Sequence, residues 1–158
     1  IIIPKLDYKG YNEFVAMKLW QYIGSDYVLL VQNDSYILNG KKWDNEFLKY
    51  DYIGSPWPPD YTMNNRIGNG GFSLSSKKFR KFMYDHKDNY ITGMSSDLWF
   101  CQYMFPEARK ELSFAPLDVA QRFSFELPNP EFENWNWRKS FGYHGLFSWL
   151  KEPLNLTR

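Results

Sequence analysis

A run of five apolar residues, Tyr27 to Val31, leads directly into the polar sequence Gln32-Asn33-Asp34-Ser35. A short, continuous apolar run is typical of a strand buried on both faces, as in a mostly parallel sheet. In open α/β sheets of that kind, ligands bind beyond the carboxyl ends of the strands. A carboxylate flanked by amide and hydroxyl oxygens suits a hard divalent cation and its phosphate ligand. The other interpretation is a plain turn, because Asn, Asp and Ser favour turns by bonding to their own backbone.

The remaining segments predict one mixed α/β domain that covers residues 1–158. A chain of this length can bury a hydrophobic core of its own. Residues 12–23 predict a helix with an apolar stripe, which Asn12 can cap and Gly24 can end. Further helices are predicted at 43–50, 77–84, 98–105 and 116–123, and further strands at 51–54 and 72–75.

Charge and cysteine content narrow the classes of partner and compartment. With 19 basic and 18 acidic residues, bulk electrostatics gives no sign of a nucleic-acid partner, and we expect none. Cys101 is the only cysteine, so no internal disulfide forms and a reducing compartment is allowed. No apolar run approaches the about 20 residues that span a bilayer. We therefore expect a cytoplasmic protein without a membrane span, although the chain begins with Ile rather than Met, which leaves open a preceding targeting segment.

The second informative stretch, residues 66–75, has glycines at Gly68, Gly70 and Gly71. Glycine permits positive φ and a close approach of the backbone to a ligand. The stretch is not a P-loop, because the Lys-Ser/Thr ending is absent, and a tight turn before a strand is the alternative. Upstream, Trp57 lies among three prolines, which makes a stiff loop that holds the indole at low entropic cost.

Two later residues are candidates for chemistry. Asp97 falls in the first turn of a predicted helix, where an acidic residue also simply complements the helix dipole. A catalytic role requires an acceptor hydroxyl near its carboxylate. His144 lies between Gly142 and Gly145, so a neutral imidazole has the backbone freedom to reach a metal. A histidine hydrogen-bonded within a turn is the alternative.

Taken in order along the chain, these motifs resemble the GT-A-type glycosyltransferases. Within that family they resemble a group of domains with Gln-x-Asp-Ser and Gly-Asn-Gly-Gly-Phe-Ser motifs. The resemblance runs over residues 11–146, and its specific parts are Tyr50-Asp51-Tyr52-Ile53-Gly54 and the block at 68–74. It implies a GT-A-like (Rossmann-like) mixed, mostly parallel sheet flanked by helices. It also implies a hexosyltransferase that moves a sugar from a UDP- or GDP-sugar donor to a hydroxyl of a glycan or other acceptor.

The resemblance also implies roles for individual residues. Asp34 matches the second aspartate of the Asp-x-Asp motif that holds Mn²⁺ or Mg²⁺, Gln32 stands where the first would be, and His144 matches a late histidine ligand. Asp97 matches the position of the catalytic base, and Glu126 is a second candidate for that role. The residues expected to contact the donor or its sugar are Gln32, Asn33, Ser35, Trp57, Arg66, Gly68, Asn69, Gly70 and Gly71.

One departure from that family keeps other hypotheses open. GT-A folds begin with a nucleotide-binding strand-helix-strand region, and here only one predicted helix precedes the strand that leads to Asp34. Much of that amino-terminal half is therefore expected to be missing, as in the carboxyl-terminal part of a longer domain or a shortened relative. The alternative function is a non-catalytic carbohydrate-binding or degenerate glycosyltransferase-like domain. A third, an unrelated metal-dependent hydrolase, would need more carboxylates near Asp34.

Overall fold

Two small sheets joined by a tight turn form the centre of the computed structural model, which describes residues 2–61 and 64–145. The first sheet has the strand order β1-β4-β3 and is antiparallel throughout. Its strands are β1 (Tyr27–Val31), β3 (Tyr52–Ile53) and β4 (Phe72–Ser76). The central strand β4 is buried at every position, whereas β1 lies at the edge and its Val31 is 46% exposed. Residue 146, where the resemblance ends, lies outside the described residues.

The second sheet has the strand order β2-β6-β5. β2 (Ser35–Ile37) pairs antiparallel with β6 (Gly142–His144), and β6 pairs in parallel with β5 (Ser124–Phe125). The predicted mixed α/β class is therefore confirmed, but the predicted mostly parallel sheet is wrong. The apolar run of β1 indicates how much of each face is covered, and it carries no information about the direction of the neighbouring strand.

The helices are short and lie between and around the strands. The α-helices are α1 (Tyr8–Glu13), α2 (Lys77–Asp85), α3 (Ser96–Leu98), α4 (Phe105–Ala108) and α5 (Leu117–Phe123). Wider π-helical turns continue α1 over Phe14–Lys18 and α3 over Trp99–Tyr103. Short 3₁₀ helices lie at Leu19–Tyr22, Gly40–Lys42, Asn45–Lys49, Pro59–Tyr61, Lys87–Asn89 and Trp137–Lys139. Among the described residues, none of these helices has the length and apolarity to cross a membrane.

Capping side chains explain where two of the predicted helices begin. Ser76 Oγ accepts the N–H of Phe79 at 3.0 Å, so α2 begins where the sequence predicts. The first helix begins earlier than predicted, because Asp7 Oδ1 accepts the N–H of Gly10 at 2.7 Å. Asn12, the predicted cap, lies instead inside α1 and is buried. The amide of Asn12 is thereby available to hold a more distant segment.

Aromatic side chains from both sheets fill the core. The ring centroid of Phe72 in β4 lies 5.4 Å from that of Phe123 and 5.9 Å from that of Phe141, next to β6. On the other side of the first sheet, Tyr52 stacks on Phe79 at 4.8 Å. Each such pair contributes about 0.5–1.5 kcal/mol beyond the area that it buries. This packing fixes β4 against β6 and so brings the end of β1 beside the end of β6.

Candidate functional site

The turn between β1 and β2 carries Asp34 to the end of β6. The N–H of Ser35 donates to the carbonyl of Gln32 at 3.0 Å, so the turn interpretation of this stretch is correct for the backbone. Ser35 lies opposite His144 in the β2–β6 pairing. Asp34 Oδ1 consequently lies 3.6 Å from His144 Nε2. A turn and a functional site are therefore compatible interpretations of the same residues.

Both ring nitrogens of His144 face side-chain oxygens. Nδ1 lies 3.1 Å from Glu126 Oε1, and Nε2 lies 3.1 Å from Gln32 Oε1. The amide nitrogen of Gln32 donates to the Tyr11 hydroxyl at 2.9 Å. This bond directs the amide oxygen of Gln32 toward the imidazole, because the amide has one oxygen and one nitrogen.

The environment of His144 raises its pKa above the ordinary value. Burial lowers the pKa, but the hydrogen bond to Glu126 and the negative charges of Glu126, Asp34 and Asp97 outweigh that effect. When charged, the imidazole donates from both nitrogens, which satisfies the acceptors on Glu126 and Gln32 together.

Asp34 supplies the clearest sign that this group of residues can hold a cation. Its Oδ1 is buried and has no hydrogen-bond partner among the described residues, since 3.6 Å from His144 Nε2 is too long for one. An unpaired buried polar atom costs about 1–3 kcal/mol, and more when it is charged. Asp34 Oδ1, Gln32 Oε1 and the Nε2 lone pair of a neutral His144 converge, and all three are suitable ligands for Mn²⁺ or Mg²⁺.

The set is small for a metal centre. Within residues 2–61 and 64–145, no group of three or more His, Cys, Asp or Glu side chains could hold a metal ion. The ionisable ligands available are Asp34 and His144, and Gln32 adds a neutral amide oxygen. Water and the ligand's own oxygens would have to complete the coordination shell, as is usual for Mg²⁺.

In the loop of residues 68–71, Gly68 and Gly71 are required for space rather than for unusual dihedral angles. A Cβ at Gly71 would overlap the imidazole of His144, and a Cβ at Gly68 would overlap the indole of Trp57. The residue with positive φ in this loop is Asn69, at 57°. Its side-chain Oδ1 accepts the N–H of Gly71 at 2.7 Å, which holds the loop in this conformation. The predicted close approach of the glycine backbone is thus an approach to protein rings.

Asp97 contacts the loop of residues 68–71, here called the glycine loop, on the side away from His144. Its Oδ2 accepts the N–H of Gly70 at 3.1 Å, and its Oδ1 accepts the N–H of Leu98 at 2.9 Å. The neighbouring Ser96 N–H donates to Asn12 Oδ1 at 2.7 Å. The start of α3 is therefore tied both to the glycine loop and to α1.

A cavity of about 290 Å³ lies between these two sides. It brings together five of the residues predicted as site residues, which are Gln32, Gly70, Gly71, Asp97 and His144. Sequence reasoning missed the rest of its lining, which is Tyr8, Tyr11, Asn12, Ser95 and Ser96. These residues come from α1 and from the segment before α3, and no motif marks them.

Three further predicted site residues lie outside the cavity lining and are linked to the site by hydrogen bonds: Trp57, Arg66 and Glu126. Trp57 is only 4% exposed, and its Nε1–H donates to Glu126 Oε2 at 3.2 Å. Arg66 Nη2 donates to the carbonyl of Trp57 at 3.1 Å, and Arg66 Nη1 pairs with Glu131 at 2.5 Å. These contacts are made within the protein, so Trp57 and Arg66 contribute to the architecture beside the cavity.

The two remaining predicted donor contacts differ from each other in exposure. Asn33 is exposed in the turn. Ser35 is buried, and its Oγ donates to the carbonyl of Gly71 at 2.8 Å. Ser35 therefore anchors the glycine loop to the turn and does not face the cavity.

Comparison with known proteins identifies the family without giving an activity. No similar curated protein and no similar solved structure was found. A family model described as "Protein of unknown function (DUF5672)" matches residues 6–144. The matched segment extends from just before α1 to His144 and includes Gln32, Asp34, Asp97 and Glu126. The chain belongs to the DUF5672 family.

Proposed function

We propose that this chain is a metal-dependent glycosyltransferase domain with a GT-A-like site. It transfers a sugar from a UDP- or GDP-sugar to a hydroxyl group of a glycan or another acceptor. The observation that carries the proposal is the convergence of Asp34 Oδ1, which is buried and unpaired, with Gln32 Oε1 and His144 Nε2. Gln32 and His144 also line the cavity of about 290 Å³, and the carboxylate of Asp97 lies in the same lining.

Asp34 and His144 hold the Mn²⁺ or Mg²⁺ in this proposal, with Gln32 as a neutral third ligand. When bound, the cation acts as a Lewis acid that neutralises charge on the departing diphosphate. The backbone of Gly70 and Gly71 borders the space for the transferred sugar, where a side chain at Gly71 would displace His144.

Asp97 is the proposed general base. The acceptor oxygen forms a bond to the anomeric carbon, the bond from that carbon to the diphosphate oxygen breaks, and the acceptor proton moves to the Asp97 carboxylate. The two backbone N–H groups that bond to Asp97 hold its carboxylate in one orientation. Each oxygen retains a second lone pair, so the carboxylate can still accept that proton.

A non-catalytic carbohydrate-binding domain is the second candidate. Gln32 replaces the first acidic residue of the Asp-x-Asp motif, and the described residues lack a cluster of three ionisable ligands. Both facts reduce the negative charge available for a metal and therefore favour binding without transfer. The same shortage of carboxylates counts against a metal-dependent hydrolase.

Calorimetric titration of the full chain separates the two candidates. Mn²⁺ is titrated first, followed by UDP- and GDP-sugars in the presence of Mn²⁺, and then by free glycans. The glycosyltransferase proposal expects Mn²⁺ to bind and to strengthen the binding of at least one nucleotide sugar. Binding of free glycans without any nucleotide sugar would reject the enzyme hypothesis in favour of the second candidate.

The ligand assignment is tested with two variants and two matched controls. Asp34→Ala and His144→Ala should each weaken Mn²⁺ binding. Asp118→Ala removes an exposed aspartate of α5, and His86→Ala removes the other histidine of the chain, so both should bind Mn²⁺ like the unmodified protein. Unchanged Mn²⁺ affinity in both site variants would contradict the assignment.

A further inference from the structure

Each carboxylate oxygen of Glu126 lies within hydrogen-bond distance of an aromatic ring nitrogen. Its Oε1 lies 3.1 Å from His144 Nδ1, and its Oε2 lies 3.2 Å from Trp57 Nε1. It does not line the cavity that contains Asp97. Its contacts therefore point to a role through His144 rather than through direct contact with a substrate.

The chemistry of the two partners fixes the orientation of the Glu126 carboxylate. An indole N–H can only donate, so it retains one carboxylate oxygen of Glu126. The other oxygen is left facing His144 Nδ1, and an ionised carboxylate can only accept. Nε2 also faces an acceptor, the amide oxygen of Gln32 at 3.1 Å, while Asp34 Oδ1 at 3.6 Å is too far for a hydrogen bond. The ionised carboxylate of Glu126 is the stronger of the two acceptors, so in the neutral ring the hydrogen is on Nδ1 and the lone pair is on Nε2.

Trp57 is itself held rigidly. It lies between Pro56 and Pro58, and its indole is packed so closely on Gly68 that no side chain fits there. The guanidinium of Arg66 bonds to its carbonyl. The stiff proline-rich loop thus holds the indole N–H of Trp57 in a fixed position for its hydrogen bond to Glu126.

We propose that Glu126 is a positioning residue, held by Trp57, that keeps His144 in the tautomer whose Nε2 faces Asp34 and Gln32. The use of that nitrogen for a metal rests on the proposed function, whereas the tautomer itself does not. Glu126 then has no role as the catalytic base, which leaves that role to Asp97. Carboxylate partners of this kind typically change metal affinity by about 10- to 100-fold when they are replaced.

Glu126→Gln is an isosteric test of this arrangement. The donor-only indole of Trp57 retains the amide oxygen of the new side chain, so its NH₂ group must face His144 Nδ1. The imidazole then gains a complete set of bonds as the other tautomer, with Nδ1 accepting and Nε2–H donating to Gln32 Oε1. We expect ¹⁵N NMR of the metal-free chain at alkaline pH, where the ring is neutral, to show this exchange of tautomer.

Two controls accompany the measurement. His86, the other histidine of the chain, contacts the Phe82 carbonyl through Nδ1 and should give unchanged signals in the same spectra. Glu133→Gln removes an exposed carboxylate and should leave the His144 tautomer and the Mn²⁺ affinity unchanged. In Glu126→Gln the Mn²⁺ affinity should fall by about 10- to 100-fold.

The tautomer and the metal affinity give separable outcomes. An unchanged His144 tautomer in Glu126→Gln would overturn the inference, whether or not Mn²⁺ binds. A changed tautomer in a protein that does not bind Mn²⁺ would support the inference and reject the metal part of the proposed function. If Glu126→Gln does not fold, Trp57→Phe is the second test, because it keeps a ring against Gly68 but lacks the N–H that holds Glu126. The carboxylate is then free to turn away from His144 Nδ1, which should shift the tautomer equilibrium in the same direction, and no shift would overturn the inference that Trp57 and Glu126 set the tautomer.

Discussion

Asp34 and Asp97 flank the same glycine loop, but their carboxylates are held in opposite ways. Each oxygen of Asp97 accepts a backbone N–H, one from Gly70 and one from Leu98. Asp34 Oδ1 is buried without a hydrogen-bond partner among the described residues, and it faces His144 Nε2 at 3.6 Å. One aspartate is therefore satisfied by the fold, and the other has an oxygen that the fold leaves unpaired.

This difference indicates which property of each residue an experiment must measure. An unpaired buried oxygen lowers stability, so its presence favours a function that supplies a partner, here a cation or the proton of His144. The carboxylate of Asp97 already accepts two backbone hydrogen bonds, so it needs no ligand. Its structural role of tying α3 to the glycine loop is enough to explain its presence. Binding experiments therefore test Asp34, whereas rates of transfer are needed to test Asp97.

The largest expected effect is that of Asp97→Asn on the proposed sugar transfer. An amide cannot take the acceptor proton, so the rate should fall by about 100- to 10,000-fold, as is typical for loss of a general base. Donor affinity, measured by calorimetry, should stay the same. If Asp97 only ties the loop to α3, donor affinity and thermal stability should fall together with the rate. A fully active variant would remove Asp97 from the mechanism.

A matched pair of substitutions, Gly71→Ala beside His144 and Gly70→Ala beside Asp97, compares how tightly the glycine loop packs on the two sides of the site. A Cβ at Gly71 would overlap the His144 ring, so Gly71→Ala should turn the imidazole away from Asp34 and abolish Mn²⁺ binding. Overpacking of this kind typically costs about 1–3 kcal/mol of stability. At Gly70 the added Cβ would lie 3.2 Å from the Cβ of Asp97, which requires only a small shift.

Gly70→Ala should therefore keep Mn²⁺ binding and lose less than about 1 kcal/mol, since alanine also restricts the unfolded chain. Denaturant unfolding and Mn²⁺ calorimetry on both variants check the pair. Equal Mn²⁺ affinity in Gly71→Ala and the unmodified protein would mean that the ring position of His144 is not required for the metal.

Local patterns in the sequence predicted the elements better than their arrangement. The apolar run at Tyr27–Val31 is a strand, and Ser76 caps α2, because both depend on neighbouring residues. The antiparallel partner of β1 depends on a segment about 45 residues away, which the run cannot report. β6 has three residues that include Gly142, too few for a periodic pattern, and so the sequence offered a turn as the alternative for His144.

The same distinction applies to the candidate site. The family resemblance led to Asp34 and His144, which the structure places 3.6 Å apart. It did not reveal that Glu126 contacts His144 or that Tyr11 contacts Gln32, because the first bond joins the residue after β5 to β6 and the second joins α1 to the turn. Side-chain partners of this kind depend on tertiary packing, for which a single sequence has no local signal.

The smallest expected effect is on the pKa of His144, and it compares the two aspartates directly. Both carboxylates raise this pKa, and Asp34 does so more strongly than Asp97. Asp34→Asn should therefore lower the pKa of His144 more than Asp97→Asn does. NMR titration of the metal-free variants, with His86 as the reference, measures both shifts.

The same shift determines how stability depends on pH in the metal-free protein. Because the pKa of folded His144 is raised, its charged form adds stability that is fully present below the ordinary pKa of about 6.5. That stability is lost as the pH rises through the higher pKa of the folded protein. In Asp34→Asn this stability should be smaller, and its loss should be complete at a lower pH, than in Asp97→Asn, as followed by thermal unfolding. Coincident profiles would show that the unpaired oxygen of Asp34 does not act on the imidazole, and the contrast between the two aspartates would then lose its electrostatic basis.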